Sequence, residues 1–106
     1  MITAEFYRTS DNKLIGFSVS GHAGMADFGQ DIACASVSSA VMLTANTITE
    51  AFGIKAAAEA YENEILLKLK EDPRGEGDKR ILGLLTHLYL LKEEFPKAIN
   101  VKITEK

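Results

Sequence analysis

Cysteine and proline are scarce in this sequence, which has one cysteine and two prolines among 106 residues. Because Cys34 is the single cysteine, no disulfide can form within the chain, and a four-cysteine zinc site is excluded. No run of about 18 apolar residues is present, so we expect no membrane span. The N-terminal residues lack the basic stretch and apolar run of a signal peptide. Together these absences predict a cytoplasmic protein.

Basic residues are also fewer than acidic residues. Twelve Lys and Arg residues stand against 15 Asp and Glu residues, which gives a formal net charge of −3. Lys and Arg form no run, so we expect no direct binding to nucleic acid. The apolar fraction of 46% and the charged fraction of 25% are ordinary for a globular protein. We therefore expect one domain over residues 1–106, built around a single hydrophobic core.

Seven secondary-structure elements follow from the apolar periodicity and the turn residues. In chain order they are strands over residues 2–9 and 13–20, a helix from Ile32 to about Phe52, strands over residues 56–61 and 65–70, a helix from Asp78 to about Phe95, and a strand over residues 99–104. The order ββαββαβ predicts an α+β fold, a two-layer sandwich. Its sheet would be five-stranded and mostly antiparallel, with both helices on one face.

The ends of the two helices are predicted from capping residues. Asp31 is a suitable N-cap for the first helix, and Gly53 a suitable stop. Asp78 is the predicted N-cap of the second helix, and Pro96 marks its end.

The second helix has an apolar stripe over about half its circumference, wider than packing on one sheet requires. The stripe consists of Ile81, Leu82, Leu84, Leu85, Leu88, Tyr89, Leu91 and Phe95. Two interpretations are open. The helix is deeply buried, or one edge of the stripe forms a homodimer contact.

The first helix is predicted to carry a reactive thiol. With Asp31 as the N-cap, Cys34 would occupy the third helical position, where unpaired N–H groups and the helix dipole favour an anion. The thiolate is the nucleophilic form of cysteine. His22, at the end of the second strand, could pair with that thiolate and later protonate a leaving amine. Backbone N–H groups at the helix start, including that of Cys34, could stabilise an oxyanion.

Structural interpretations of the same residues are equally open. A lone cysteine in an apolar helix is commonly a small core residue, and Cys34 lies on the same helical face as Val41 and Phe52. His22, beside Gly21, could simply be a turn residue. The residues alone therefore leave the catalytic and the structural roles undecided.

Two residues near Cys34 have candidate supporting roles. Asp31 could orient His22 instead of capping the helix. Ser38 follows Cys34 by four residues, so it lies on the same side of the helix. Its hydroxyl could contact the thiolate or a substrate carbonyl, or it could only fill a tight helix–sheet contact. His87, the other histidine, is expected to be solvated, and no cluster predicts a metal site.

The segment over residues 21–31 is predicted to be a glycine-rich loop. Gly21, Gly24 and Gly29 give it the freedom that a substrate clamp would use, and Met25 and Phe28 could grip apolar peptide side chains. The alternative is a plain surface loop, which would leave the Phe28 ring exposed.

Two sequence patterns resemble a known family. Gly21-His22-Ala23, followed by Asp31-Ile32-x-Cys34-Ala35-x-Val37-Ser38, is similar to the motif of the bacterial ribosomal-processing cysteine proteases. The resemblance implies an endopeptidase that removes a short N-terminal extension from a large-subunit ribosomal protein precursor. It implies that Cys34 is the nucleophile and His22 the proton donor and acceptor. It also implies a homodimer, no cofactor, and a loop that closes over an extended peptide with aromatic residues near the scissile bond.

Two rival functions are consistent with the residues. One is a non-catalytic ribosome-associated or protein-interaction domain, in which Cys34 is buried. The other is a thiol redox sensor, which is weakened because the chain has no resolving cysteine.

Overall fold

The structure, a computed structural model, describes residues 1–21 and 28–106, and for residues 28–31 it describes the backbone only. The elements are β1 (Ile2–Arg8), β2 (Leu14–Ser20), α1 (Phe28–Asn46) with a following π-helical turn (Thr47–Ala51), β3 (Ala56–Ala60), β4 (Glu64–Leu69), α2 (Glu76–Glu94) and β5 (Ile99–Glu105). The predicted order ββαββαβ is therefore confirmed.

In this part of the chain, the strands form one five-stranded sheet in the order β3-β4-β2-β1-β5. Three of its strand pairs are antiparallel, namely β1–β2, β2–β4 and β3–β4, and the pair β1–β5 is parallel. α2 contacts β2 and β5, and α1 contacts α2, so the helices form a second layer on the sheet. The predicted two-layer α+β sandwich is confirmed.

The core lies between the sheet and this helical layer. Alternate residues of β1 point into it, and Ile2, Ala4 and Phe6 are buried there. The Phe6 ring packs against the Phe17 ring of β2 with centroids 6.1 Å apart. Burial of each such aromatic side chain stabilises the fold by roughly 1.5–3 kcal/mol, which makes this central pair an anchor for both strands.

The predicted start of the first helix is wrong. α1 begins at Phe28, so Asp31 lies inside the helix and is not its N-cap. Gly29 suggested a loop, but glycine costs a helix only about 1 kcal/mol relative to alanine. Burial of apolar residues farther along α1, such as Val37 and Val41, outweighs that cost.

The predicted stop of the first helix is confirmed. The helical path continues through the π-helical turn to Ala51 and ends before Gly53, which has a φ angle of 62°. This left-handed conformation is readily adopted by glycine and seldom by other residues.

The predicted N-cap of the second helix is also wrong. α2 begins at Glu76, and Asp78 lies inside its first turn. The capping carboxylate belongs to Asp72, which accepts hydrogen bonds from the backbone N–H groups of Gly77 at 2.8 Å and Asp78 at 2.9 Å. The Asp78 carboxylate instead accepts the N–H of Leu14 at 2.8 Å, which ties the start of α2 to the start of β2.

The wide apolar stripe of α2 is only partly covered. Ile81, Leu84, Leu85 and Leu88 are buried in the core. Leu82 and Tyr89, at the edge of the stripe, are 50% and 44% exposed. The sheet and α1 therefore cover the centre of the stripe and leave its edge at the surface.

The described residues include one helical segment, Ile32–Ala51, that is long and apolar enough to cross a membrane by length and composition alone. A core helix of a soluble protein passes the same test. Ala33, Val37, Val41 and Ile48 of this segment lie in the hydrophobic core. The segment is therefore weak support for a membrane span.

Candidate functional site

Cys34 lines a cavity of about 240 Å³ between α1 and the strands beneath it. From α1 the walls are Cys34, Val37, Ser38, Val41 and Met42, and from the sheet they are Ile2, Val19, Ser20, Ala60, Tyr61, Glu62, Asn63, Glu64 and Ile65. Cys34 is a half-buried cysteine at the edge of the core. Its thiol therefore belongs to a concave site, as a nucleophile requires.

Ser38 lines the same cavity one helical turn after Cys34. Residues four apart share a helix face, so the prediction that these two side chains lie on one side of α1 is confirmed. Because Cys34 faces this cavity, it is less buried than the core residues beside it in α1. The neighbouring Ala33 and Val37 are buried, whereas Cys34 is only partly covered.

The earlier start of α1 changes the electrostatic argument for Cys34. Counted from Phe28, Cys34 is the seventh residue of the helix and lies beyond its first turn. Free N–H groups are confined to the first four residues of a helix, and the dipole effect fades within the first turn. The prediction that the Cys34 N–H is a free oxyanion donor at the helix start is therefore wrong.

The end of β2 is held at the rim of this cavity. Gly21 donates its N–H to the carbonyl of Asn63 at 3.1 Å, and Asn63 lies in the turn between β3 and β4. Gly21 has a φ angle of 82°, and a Cβ there would lie 2.5 Å from the Met1 carbonyl oxygen. Only glycine fits this position, which fixes the point from which the chain continues to the next residue in sequence, His22.

Most of the other predicted site residues lie outside the described part of the chain. His22, Gly24 and Met25 lie outside the described residues, and the side chains of Phe28, Gly29 and Asp31 are likewise outside the description. The predicted contact between His22 and Cys34 and the predicted substrate clamp therefore stay predictions.

The β3–β4 hairpin tip is a wall of the site that the sequence did not reveal. Its residues Tyr61, Glu62, Asn63 and Glu64 all line the cavity, and the described lining includes no Lys or Arg. The Tyr61 hydroxyl donates to the Glu59 carboxylate, and this hydrogen bond raises the pKa of Tyr61. Tyr61 thus stays neutral at pH 7, and the rim carries acidic and neutral polar groups.

The hairpin tip could not be found from the sequence because its place depends on strand pairing. Ser20 pairs with Glu64 only because β4 inserts beside β2, and no local pattern specifies that neighbour. The tip also helps to hold the sheet together, since the Ser18 hydroxyl donates to the Glu64 carboxylate at 2.9 Å.

A larger groove of about 900 Å³ lies between the outer sides of α1 and α2. It is lined by residues such as Leu43, Arg80 and His87, and it includes neither Cys34 nor Ser38. The larger groove therefore lacks the candidate nucleophile. In residues 1–21 and 28–106, no group of three or more His, Cys, Asp or Glu side chains is arranged to hold a metal ion.

Comparison with known proteins identifies the family of this chain. The sequence profile of the family described as cysteine protease Prp matches residues 1–100. The chain is 25% identical to the ribosomal processing cysteine protease Prp of Bacillus subtilis (strain 168), over 95% of this chain and 96% of that protein.

Solved structures show the same fold. The ribosomal processing protease Prp from S. aureus in complex with a substrate peptide superposes with a TM-score of 0.90 at 19% identity, covering 98% of this chain and all of that one. The same S. aureus protease with a covalently linked product peptide gives a TM-score of 0.87 at 20% identity over the same shares. Because the family profile spans nearly the whole sequence, the chain belongs to the cysteine protease Prp family.

Proposed function

We propose that this cysteine protease removes a short N-terminal extension from a large-subunit ribosomal protein precursor, with Cys34 as nucleophile and His22 as its proton partner. The observation that carries the proposal is the placement of Cys34 in a cavity whose rim includes the anchored end of β2. His22 follows directly after Gly21 in the sequence. The substrate class is supported by the ribosomal processing proteases to which the chain is similar.

The reaction begins when the Cys34 thiolate attacks the carbonyl carbon of the scissile bond. A carbon–sulfur bond forms, and the carbonyl oxygen becomes an oxyanion. The C–N bond then breaks as His22 gives its proton to the departing amine. His22 next takes a proton from water, and the resulting hydroxide attacks the thioester carbonyl. The carbon–sulfur bond then breaks, which releases the peptide acid and restores the Cys34 thiolate beside a protonated His22.

Ser38 and Asp31 have supporting roles in this proposal. Ser38 lines the Cys34 cavity. In this proposal its hydroxyl donates to a substrate carbonyl or to the oxyanion. Asp31 is not the N-cap of α1. Its remaining predicted role is to accept a hydrogen bond from His22 and so orient the imidazole.

The test of the substrate class is direct cleavage. The purified chain is incubated with synthetic peptides that span the N-termini of large-subunit ribosomal protein precursors, and the products are identified by mass. We expect one precursor peptide to be cut at a single bond next to an aromatic or apolar residue. A scrambled peptide of the same composition is the matched control. Equal cleavage of both, or cleavage of neither, would contradict the proposal.

We infer that the protease acts as a cytoplasmic homodimer without membrane or direct nucleic-acid contacts. Large apolar side chains stay exposed on both helices, with Leu43 at 69% and Leu82 at 50%. A second copy that covers this layer would remove them from water. The net charge of −3 gives no general attraction to phosphate backbones.

Dimerisation predicts a sedimenting mass near twice 11.6 kDa at micromolar concentration. Leu43→Glu should shift the mass to that of the monomer, because it would place a charge in the covered layer. Lys102→Glu is the control, since Lys102 is exposed and lies on the face of β5 opposite the buried Ile99 and Val101. A monomeric wild-type chain would refute the dimer.

A further inference from the structure

β3 is an open edge of the sheet. It pairs with β4 on one side and has no partner on the other side among the described residues. Ala58 and Ala60 are exposed, so neither helix covers this edge. Such an edge offers a row of backbone donors and acceptors to any extended chain that reaches it.

The ladder between β3 and β4 shows which groups face outward. Tyr61 donates its N–H to the Glu64 carbonyl at 2.7 Å, and Lys70 donates to the Lys55 carbonyl at 2.8 Å. In an antiparallel pair, bonded residues alternate with non-bonded ones. The odd-numbered residues of β3 therefore bond to β4. The even-numbered ones, Ala56, Ala58 and Ala60, direct their N–H and C=O groups to the open edge.

β3 lacks the features that usually protect an edge strand. It has no proline, no lysine and no register shift, and Glu59 is its single charged residue. The opposite edge, β5, carries charges at Lys102 and Glu105. Alanine is also a poor strand former, so the side chains of β3 contribute little to the stability of the strand. Small side chains do leave room for larger ones on an incoming chain.

The open edge is continuous with the Cys34 cavity. Ala60, the last residue of β3, lines that cavity together with the next residue, Tyr61. At about 3.4 Å per residue, Ala56–Ala60 spans about 14 Å, long enough to pair with about five residues of an extended peptide. A peptide paired along β3 is thereby led to the thiol.

We propose that the substrate binds as a sixth strand on the open edge of β3, where its backbone pairs with Ala56, Ala58 and Ala60 while the adjoining residues enter the Cys34 cavity. The proposal rests on the proposed proteolytic function and adds how the substrate is held. Recognition along β3 is by main-chain hydrogen bonds, and selectivity comes from the cavity.

Amide resonances report this pairing without any need for cleavage. Isotope-labelled Cys34→Ala protein is titrated with the precursor peptide, and exchange of each β3 amide with deuterium is followed. We expect the N–H groups of Ala58 and Ala60 to become at least tenfold more protected, while those of Ala57 and Glu59, already bonded to β4, change little. A peptide that fails to bind, or binds without this alternation, overturns the proposal.

A variant provides the second measurement. Ala58→Pro removes an outward N–H and no bond to β4. We expect about a tenfold rise in KM, with the alkylation rate of Cys34 by iodoacetamide unchanged. Ala58→Ser keeps the N–H and is the matched control. An unchanged KM in Ala58→Pro overturns the proposal. Conversion of a dimer to a monomer by Ala58→Pro also overturns it, because the edge of β3 would then bind a second copy of the chain.

Failure of the proposed function would look different from failure of this binding mode. If the wild-type chain cleaves no precursor peptide but the peptide still protects alternate β3 amides, the proteolytic assignment fails and the edge-pairing mode stands. If cleavage proceeds without that protection, the substrate is held elsewhere and only the binding mode fails.

Discussion

Replacement of Cys34 by alanine is expected to abolish peptide cleavage and leave the fold intact. Loss of the covalent nucleophile should lower kcat/KM by a factor on the order of 10⁴ or more, because no other side chain can form the acyl-enzyme. The cost in stability should stay near 1 kcal/mol, since Cys34 is only partly buried and loses one sulfur atom. Peptide cleavage and thermal unfolding of the same preparation measure both effects.

Ser39→Ala is the matched control for Cys34→Ala. Ser39 is an exposed residue of the same helix, and it does not line the Cys34 cavity. It should keep wild-type cleavage and wild-type unfolding. If Cys34→Ala cleaves as fast as the Ser39→Ala control, the thiol is not the nucleophile and the mechanism fails.

Replacement of His22 by alanine is expected to lower kcat/KM by about 10²–10⁴-fold, the range of general acid–base catalysis. The leaving amine would then have to depart without a positioned proton donor. His87→Ala is the matched control, since His87 is the other histidine and lies exposed on α2. It should cleave at the wild-type rate.

The pH profile separates a catalytic His22 from a merely structural one. The wild-type enzyme should show a bell-shaped dependence of kcat/KM on pH, with one limb set by deprotonation of the His22 imidazolium. That limb should vanish in His22→Ala, because no imidazolium remains to donate. A profile of unchanged shape in the variant would show that His22 acts only by supporting the fold.

The parts of the fold that the sequence predicts well are those determined by local patterns. The alternation of Ile99, Val101 and Ile103 with polar residues marks β5. The polar group around Asn12, which has a φ angle of 67°, marks the turn between β1 and β2. These signals reside within a few consecutive residues, so they do not depend on the rest of the chain.

The sequence-based predictions fail where residues far apart in the chain determine the local structure. The cap of α2 is Asp72, whose carboxylate reaches across a turn to Gly77 and Asp78. A local capping pattern favoured Asp78, which bonds Leu14 instead. The hairpin wall of the cavity was missed for the same reason, because it depends on the pairing of β4 with β2. The shared helix face of Cys34 and Ser38 was predicted correctly, because it depends only on their four-residue spacing within one helix.

The parallel pairing of β1 with β5 has a consequence for when this enzyme becomes active. Ile2 forms part of the Cys34 cavity, and it is held there by the Ala98 carbonyl, which accepts its N–H at 2.7 Å, and by pairing with Ile99. Strands far apart in sequence must therefore pair before the Cys34 cavity is complete, and such long-range contacts are slow to form. We therefore expect a nascent chain to lack a complete Cys34 cavity until β5 has left the ribosome and paired with β1.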